Sequence, residues 1–429
     1  MKKQMVSLDT ILLFILVLSR VAINDLVHIP MTNRIAQLSF VLIGVTFLLL
    51  IVYILMDLKG MEESYPIKLS IIFSLIFFTV IITSVSALLL RHRSAPTEYA
   101  HDGGVVQTEV AIEYFLAGKN PYTEDYLNSP FGELRGPNAW GTYHYPYFPF
   151  TFLFSAPFYL LSQKVLGWYD QRFVYLPLFL LTLLLLPGFA RDKSSKLFLL
   201  MIVGFNPTMA TDVIVGTNDS FVFFWIVLSL FLLLRERLTL SALVLGFACA
   251  SKATAWLLVP FYLLYVCRNR PMVRENLGYF LARSFPLILS TLLFILPIFL
   301  WNPTAMIDDV WRSNIGTSEY SAPISGWGFA NFILALGLVK SRSSFFPFWI
   351  VQAIVCLPLL AYLLKRQARH NSLHSLLIGY SLLLFAFLYL SRFFYGPYVG
   401  FTLALFALGY FCEHGAPAIA PASSGHGRS

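Results

Sequence analysis

The chain has 429 residues, of which 58% are hydrophobic and only 12% charged. A soluble core of that size would need far more polar surface, and apolar runs recur as far as residue 412, which excludes a signal peptide ahead of a soluble domain. The net charge of +8 fits the Lys- and Arg-rich cytoplasmic loops of a polytopic membrane protein and is no argument for nucleic acid.

The first three apolar runs, near 11–29, 35–56 and 68–90, are each about long enough to cross a ~30 Å hydrocarbon core as helix. With "MKKQ" held inside, they place "DLKGMEESYPIK" in the cytoplasm and the long polar segment 91–145 on the outer face. Arg20, inside the first run, has Asn24 and Asp25 nearby as internal partners. Within the polar segment, "EYAHDGGVVQTEVAIEYFLAGKNPY" (98–122) reads as a flexible "HDGG" turn followed by an amphipathic helix closed by Gly118. Glu109 and Glu113 are expected to face water or headgroups, and Glu98 has no distinguishing context.

The next run, near 146–162, is rich in proline (Pro146, Pro149, Pro157), which removes backbone donors from a helix interior. Counting it as a full span would put the basic turn "RDKSSK" (191–196) outside. It is therefore expected to be a half-helix that returns to the outer face. The same choice at 326–339 keeps "KRQARH" (365–370) inside and "WNPTAMIDDVWRSNIGTSEY" outside. The run 238–267 is too long for one helix and should be an up-down pair with Lys252 at its outer turn. The expected architecture is an all-α polytopic membrane protein with about twelve transmembrane helices plus outer-face half-helices. Residues 1–67 form two extra N-terminal helices, 68–301 a catalytic module, and 302–412 a loop, a half-helix and the last helices. Residues 413–429 form a disordered cytoplasmic tail. Four cysteines lie in or beside apolar runs without a CxxC pair, so neither zinc nor a disulfide is indicated.

This threading puts His101, Asp102, Asp212, Asp219, Lys252 and Arg392 on one face, where ionisable groups are costly unless they pair or line a cavity. Asp102 precedes a helix and is either a functional acid or an N-cap. Asp219, in "GTND", could orient an acceptor, hold Lys252 or cap the helix that follows, with the cap preferred. Arg392 and Lys252 are either phosphate ligands or snorkelling anchors. His144 and Tyr145 could touch a donor sugar or phosphate, or belong to a polar belt. No metal is expected, because Asp102, Asp212 and Asp219 come from separate segments.

The order "D-x₁₅-GKNPY", "YHYPYFPF", "FNPTMATDVIVGTND", "SKATAWLLVPFYLL" resembles the polyprenyl-phosphate-dependent glycosyltransferases of the GT-C superfamily, in particular its family 87 mannosyltransferase-like group, over roughly 68–412. One departure is "GGVVQ" after Asp102, where the family often has an aromatic residue. The resemblance implies a GT-C-like fold and, on the outer face of the plasma membrane, transfer of a hexose, mannose above others, from a polyprenyl-phosphate carrier to a lipid or glycan hydroxyl. It implies no cofactor, and its partners are the sugar donor, the acceptor and membrane lipids, not nucleic acid. Asp102 would be the general base of an inverting reaction, and Lys252 and Arg392 would hold the donor phosphate. His101, Tyr122, His144, Tyr145 and Asp219 would contact substrate. An envelope polysaccharide polymerase or ligase, which predicts an Arg-rich outer loop, and a secondary transporter, which predicts paired broken helices, are the alternatives.

Overall fold

The computed structural model describes residues 6–22, 34–57, 59, 61–94, 99–267 and 276–413. Glu98, "MKKQ", Asn24, Asp25, the basic stretch 268–275 and the tail beyond 413 lie outside the described residues. The fold is helical, with one parallel pair of two-residue strands, Ser325–Gly326 and Phe393–Phe394.

Among the described residues, five helices are long and apolar enough to cross a membrane: Phe40–Asp57, Ser64–Arg93, Arg172–Phe189, Leu277–Trp301 and Phe348–Arg369. Lys193–Phe205 and Pro207–Val215, bent by 51° at their junction, make a sixth if taken together. Five further apolar helices have 17 residues or fewer, less than the ~20 that a straight crossing asks. The all-α membrane class stands; among the described residues five or six helices meet the length for a crossing, and the expected count of about twelve is not confirmed by them. On Leu277–Trp301, Leu289, Leu293, Leu296 and Leu300 recur at helical spacing and are all exposed, an apolar stripe suited to lipid.

The bends follow from local sequence. Pro207 opens the second half of the bent pair, so its missing N–H costs no helical hydrogen bond there. The Asn206 side chain caps the new helix by accepting from Thr208 N at 3.2 Å. The helix Leu238–Cys249 stops before Lys252, which is extended (φ −156°), and the chain resumes as a 3₁₀ turn over Ala253–Leu258 leading into Val259–Val266. The carbonyls freed at this break are not wasted: Phe150 N donates to Ala250 O at 3.0 Å and Phe148 N to Ser251 O at 3.1 Å.

The proline-rich segment becomes the helix Phe150–Leu166, begun by Pro149 and ended at Gly167, which adopts φ +75°. Its start is tied to the break at 250–251. Beyond its far end, Asp170 pairs with Arg91 at 2.7 Å and Arg172 donates to the carbonyl oxygens of Tyr99 and Ile214. Both ends of this helix are therefore anchored in the layer of polar turns that contains Asp102, Gly216 and Lys252. The expected half-helix at 326–339 is shorter, Phe329–Ala335.

At the other end of Ser64–Arg93, Lys68 is almost fully buried between Asp9 and Asp57, and Tyr53 Oη donates to Asp9 Oδ2 at 2.7 Å. This charge cluster fastens the two N-terminal helices to the remainder of the protein.

Candidate active site

Residues Asp102–Gln107 form a wide helical turn that runs into the helix Thr108–Leu116. Its glycines allow a close approach to the end of the bent pair. A Cβ on Gly104 would overlap the Gly216 carbonyl oxygen, and one on Gly103 would come 2.8 Å from Tyr147 Oη. His101 N donates to Val215 O at 2.6 Å, and Tyr175 Oη donates to Gly104 O at 2.9 Å. "HDGG" is a clamped turn, not a flexible one. Where the related family often has an aromatic residue after the acid, Tyr147 occupies the space over Gly103 from another segment.

Asp102 accepts from Gly103 N at 2.8 Å through Oδ1 and from Arg135 Nε at 2.5 Å through Oδ2, which Arg135 Nη2 also approaches. Burial works against its charge, but His101, Arg135 and the Gly103 amide outweigh it and hold the carboxyl below its ordinary value. Burial lowers the His101 value despite the attraction of Asp102 and Asp219. Gly104 N donates to His101 Nδ1 at 2.9 Å, so the neutral ring carries its proton on Nε2.

Asp102 lines a cavity of about 1200 Å³. One end is polar, with His101, Arg135, Asp212, Asp219 and Lys252; the other runs along Ala353, Cys356, Leu357, Leu360, Leu383 and Phe387. Lys252 Nζ donates to Asp219 Oδ1 at 2.7 Å and to Asn218 Oδ1 at 3.1 Å, and it lies 5.8 and 5.5 Å from the Tyr147 and Tyr398 ring centres. The Asp219 carboxylate holds Lys252; it is not the helix cap preferred from the sequence.

Arg392 also lines the cavity, but its guanidinium is only 2% exposed and donates to the carbonyl oxygens of Ala322, Arg342 and Ser344. It ties the 322–344 loop to the Ser391–Tyr395 turn. Three of its five N–H donors are spent on backbone, which leaves two for the phosphate role expected of it. Tyr122, His144 and Tyr145 do not line the cavity. They are buried behind it, where Tyr122 Oη donates to Tyr147 O at 2.7 Å and Tyr122 packs edge-on against Tyr145. They support the wall rather than touch its contents.

Residues 111–268, well under half of the chain, match the MptA_B family model, described as alpha-(1->6)-mannopyranosyltransferase, N-terminal domain. Over these residues the chain is similar to that family. It is a glycosyltransferase. No curated protein and no solved structure matches it. The matched segment of this glycosyltransferase holds Asp212, Asp219 and Lys252 and begins after Asp102.

One group of side chains has the makings of a cation site. His144, Asp308 and Asp309 each offer a ligand atom, all within 4.8 Å of one another. The expectation of no metal considered Asp102, Asp212 and Asp219 and missed these adjacent carboxylates. Among themselves they are already well bonded: Asp309 Oδ1 lies 2.8 Å from His144 Nδ1, and Asp309 Oδ2 accepts from Tyr145 N at 2.7 Å. Burial pushes the Asp309 carboxyl up to about 7, against the pull of His144 and the Tyr145 amide. The cluster lies off the cavity lining, where it pins the 308–318 segment to the "YHYP" turn.

Two pairings escape sequence reasoning. Arg135, at the end of the short helix Pro130–Arg135, carries no mark in the sequence that points to Asp102. Glu109 does not face open water: it is half-buried against Arg91, with N–O distances of 2.6 and 2.9 Å, and accepts from Gln171 N at 2.8 Å. Glu113 is exposed as expected, and Tyr159 Oη donates to it at 3.1 Å.

Proposed function

We propose that the protein is an integral membrane mannosyltransferase that takes its sugar from a polyprenyl-phosphate carrier and passes it, with inversion, to a lipid or glycan hydroxyl. The observation that carries this is the cavity's two-ended character. A lipid-phosphate sugar needs a cation beside an acid at its head and an apolar groove for its chain, and Lys252, Asp102 and the Ala353–Leu360 and Leu383–Phe387 surfaces supply them.

In the reaction the acceptor oxygen attacks the anomeric carbon, and the bond from that carbon to the phosphate oxygen breaks. The hydroxyl is a poor nucleophile until its proton moves to Asp102, which is ionised at neutral pH. Polyprenyl phosphate leaves with the electron pair, and its charge falls to Lys252, held in place by Asp219 and Asn218. Arg135 must yield its grip on Asp102 as the acceptor binds. Mannose is favoured by the family match. The outer face is favoured by the helix Phe150–Leu166, both ends of which are anchored in the cavity layer. Lys193 of the basic turn 191–196, by contrast, lies over Tyr65, at the other end of Ser64–Arg93. No metal is assigned a step, since the His144–Asp308–Asp309 group lies off the cavity.

The test is transfer from purified mannosyl-phospho-polyprenol by the protein in vesicles, with alkyl mannosides and lipid extracts as acceptors. Release of polyprenyl phosphate with formation of a mannosylated product is expected. Turnover from a nucleotide sugar and none from the lipid donor would defeat the proposal.

A further inference from the structure

The cavity's polar end contains a corner that the proposed chemistry leaves unused. The helix Pro207–Val215 ends in a tight turn in which Gly216 N and Thr217 N both donate to the Asp212 carbonyl oxygen at 2.8 Å. That turn brings Asp212, Thr217 and Asn218 to one patch of the cavity wall. They are 5%, 3% and 1% exposed, and Asp212 Oδ2, Thr217 Oγ1 and Asn218 Nδ2 have no hydrogen-bond partner among the described residues. Buried polar atoms are nearly always satisfied, and three orphans in one turn of a cavity wall call for a ligand.

We propose that Asp212, Thr217 and Asn218 form a hydroxyl-binding subsite for the pyranose of the donor, beside the phosphate position at Lys252. The proposal rests on the mannosyltransferase reading above. A carboxyl oxygen accepts, an amide nitrogen donates and a hydroxyl does either, a set that matches neighbouring ring hydroxyls, each of which donates and accepts. Phosphate is disfavoured in this corner, because Asp219 is close enough to Asp212 to repel a further negative charge there. The neutral sugar therefore turns to Asp212 and the charged phosphate to Lys252. Asn218 joins the two: its Oδ1 accepts from Lys252 Nζ at 3.1 Å while its Nδ2 is left for the sugar. The subsite reads hydroxyls, and it sets which hexose is accepted.

The experiment measures thermal stabilisation of the full-length protein by two lipids, mannosyl-phospho-polyprenol and bare polyprenyl phosphate. Their difference isolates the sugar and needs no turnover. Wild-type protein should be stabilised more by the mannosyl lipid. Asp212→Asn and, independently, Thr217→Val should keep the response to bare polyprenyl phosphate. Their affinity for the mannosyl lipid should fall about tenfold, the upper scale for one lost neutral hydrogen bond. Asp212→Asn should leave the ligand-free melting temperature unchanged or higher, since the amide keeps the shape of the side chain and removes an acid buried near Asp219. Variants that retain the full sugar-dependent difference overturn the subsite, as do variants that lose the response to both lipids. An alkyl mannoside that protects the wild type but not Asp212→Asn, with the donor difference intact, places the sugar of the acceptor there and overturns the donor assignment. No response of the wild type to either lipid defeats the mannosyltransferase reading itself.

Discussion

Asp102 and Arg135 stand 33 residues apart in the chain, and their contact decides how the acid titrates. Against burial, His101, Arg135 and the Gly103 amide keep Asp102 ionised. A depressed value means the carboxylate is protonated only as pH falls below the ordinary carboxylate range near ~4, so the acid limb of kcat/KM, which reports the free enzyme, should lie at or below that range. Arg135→Gln removes one of the depressing charges, and the limb should move up in pH; a limb that stays put would show that another acid controls the rate. Lys252 and Asp219 permit a separate test. Lys252→Met leaves the Asp219 carboxylate buried without its cation, which typically costs on the order of 3 kcal/mol or more. Lys252→Met with Asp219→Asn should recover much of that stability in a melting experiment and none of the sugar transfer. Recovery of both would make the lysine merely structural.

The elements meet through close backbone contacts. Gly104 has no room for a Cβ against the Gly216 carbonyl, so Gly104→Ala must push the Asp102 turn away from the bent pair. A loss of about 1–3 kcal/mol, the usual cost of overpacking, and a collapse of activity are expected. Gly44→Ala is the control, because a Cβ there meets nothing within 4 Å and alanine is the better helix former. Equal melting temperatures and activities for the two variants would contradict the clamp. Much at this scale was legible in the sequence. "FNP" marks the bend at 206–207, the polar Lys252 inside an apolar run marks the break, and Gly118 closes its helix with φ +75°. The half-helix at 146–162 was argued from loop charge, a property of the whole chain. What stayed hidden are pairings between distant positions: Glu109 with Arg91, Asp309 with His144, Arg392 with the 322–344 carbonyls. Each lone residue looked like a solvated charge, a loop acid or a phosphate ligand. Local composition cannot say which partner, 18 to 165 residues away, will be brought beside it.

For the whole molecule, the central matter is on which side of the membrane the proposed cavity site lies. If residues 91–145 lie outside and 191–196 and 365–370 inside, a cysteine placed at Ser194 should react only after the cell is permeabilised. One at the exposed Lys119 should react at once with an impermeant maleimide. The four native cysteines are buried and should give little background. Labelling of position 194 from outside would invert the arrangement and move the cavity to the cytoplasm. The decisive measurement concerns Asp102. Asn keeps the shape of the side chain and cannot take a proton, and loss of a general base typically costs on the order of 10²–10⁴ in rate. Asp102→Asn, reconstituted beside the wild type, should bind mannosyl-phospho-polyprenol with similar affinity and transfer its sugar at least about a hundredfold more slowly. Transfer by the Asn variant at near the wild-type rate, from normally folded protein, would contradict the account.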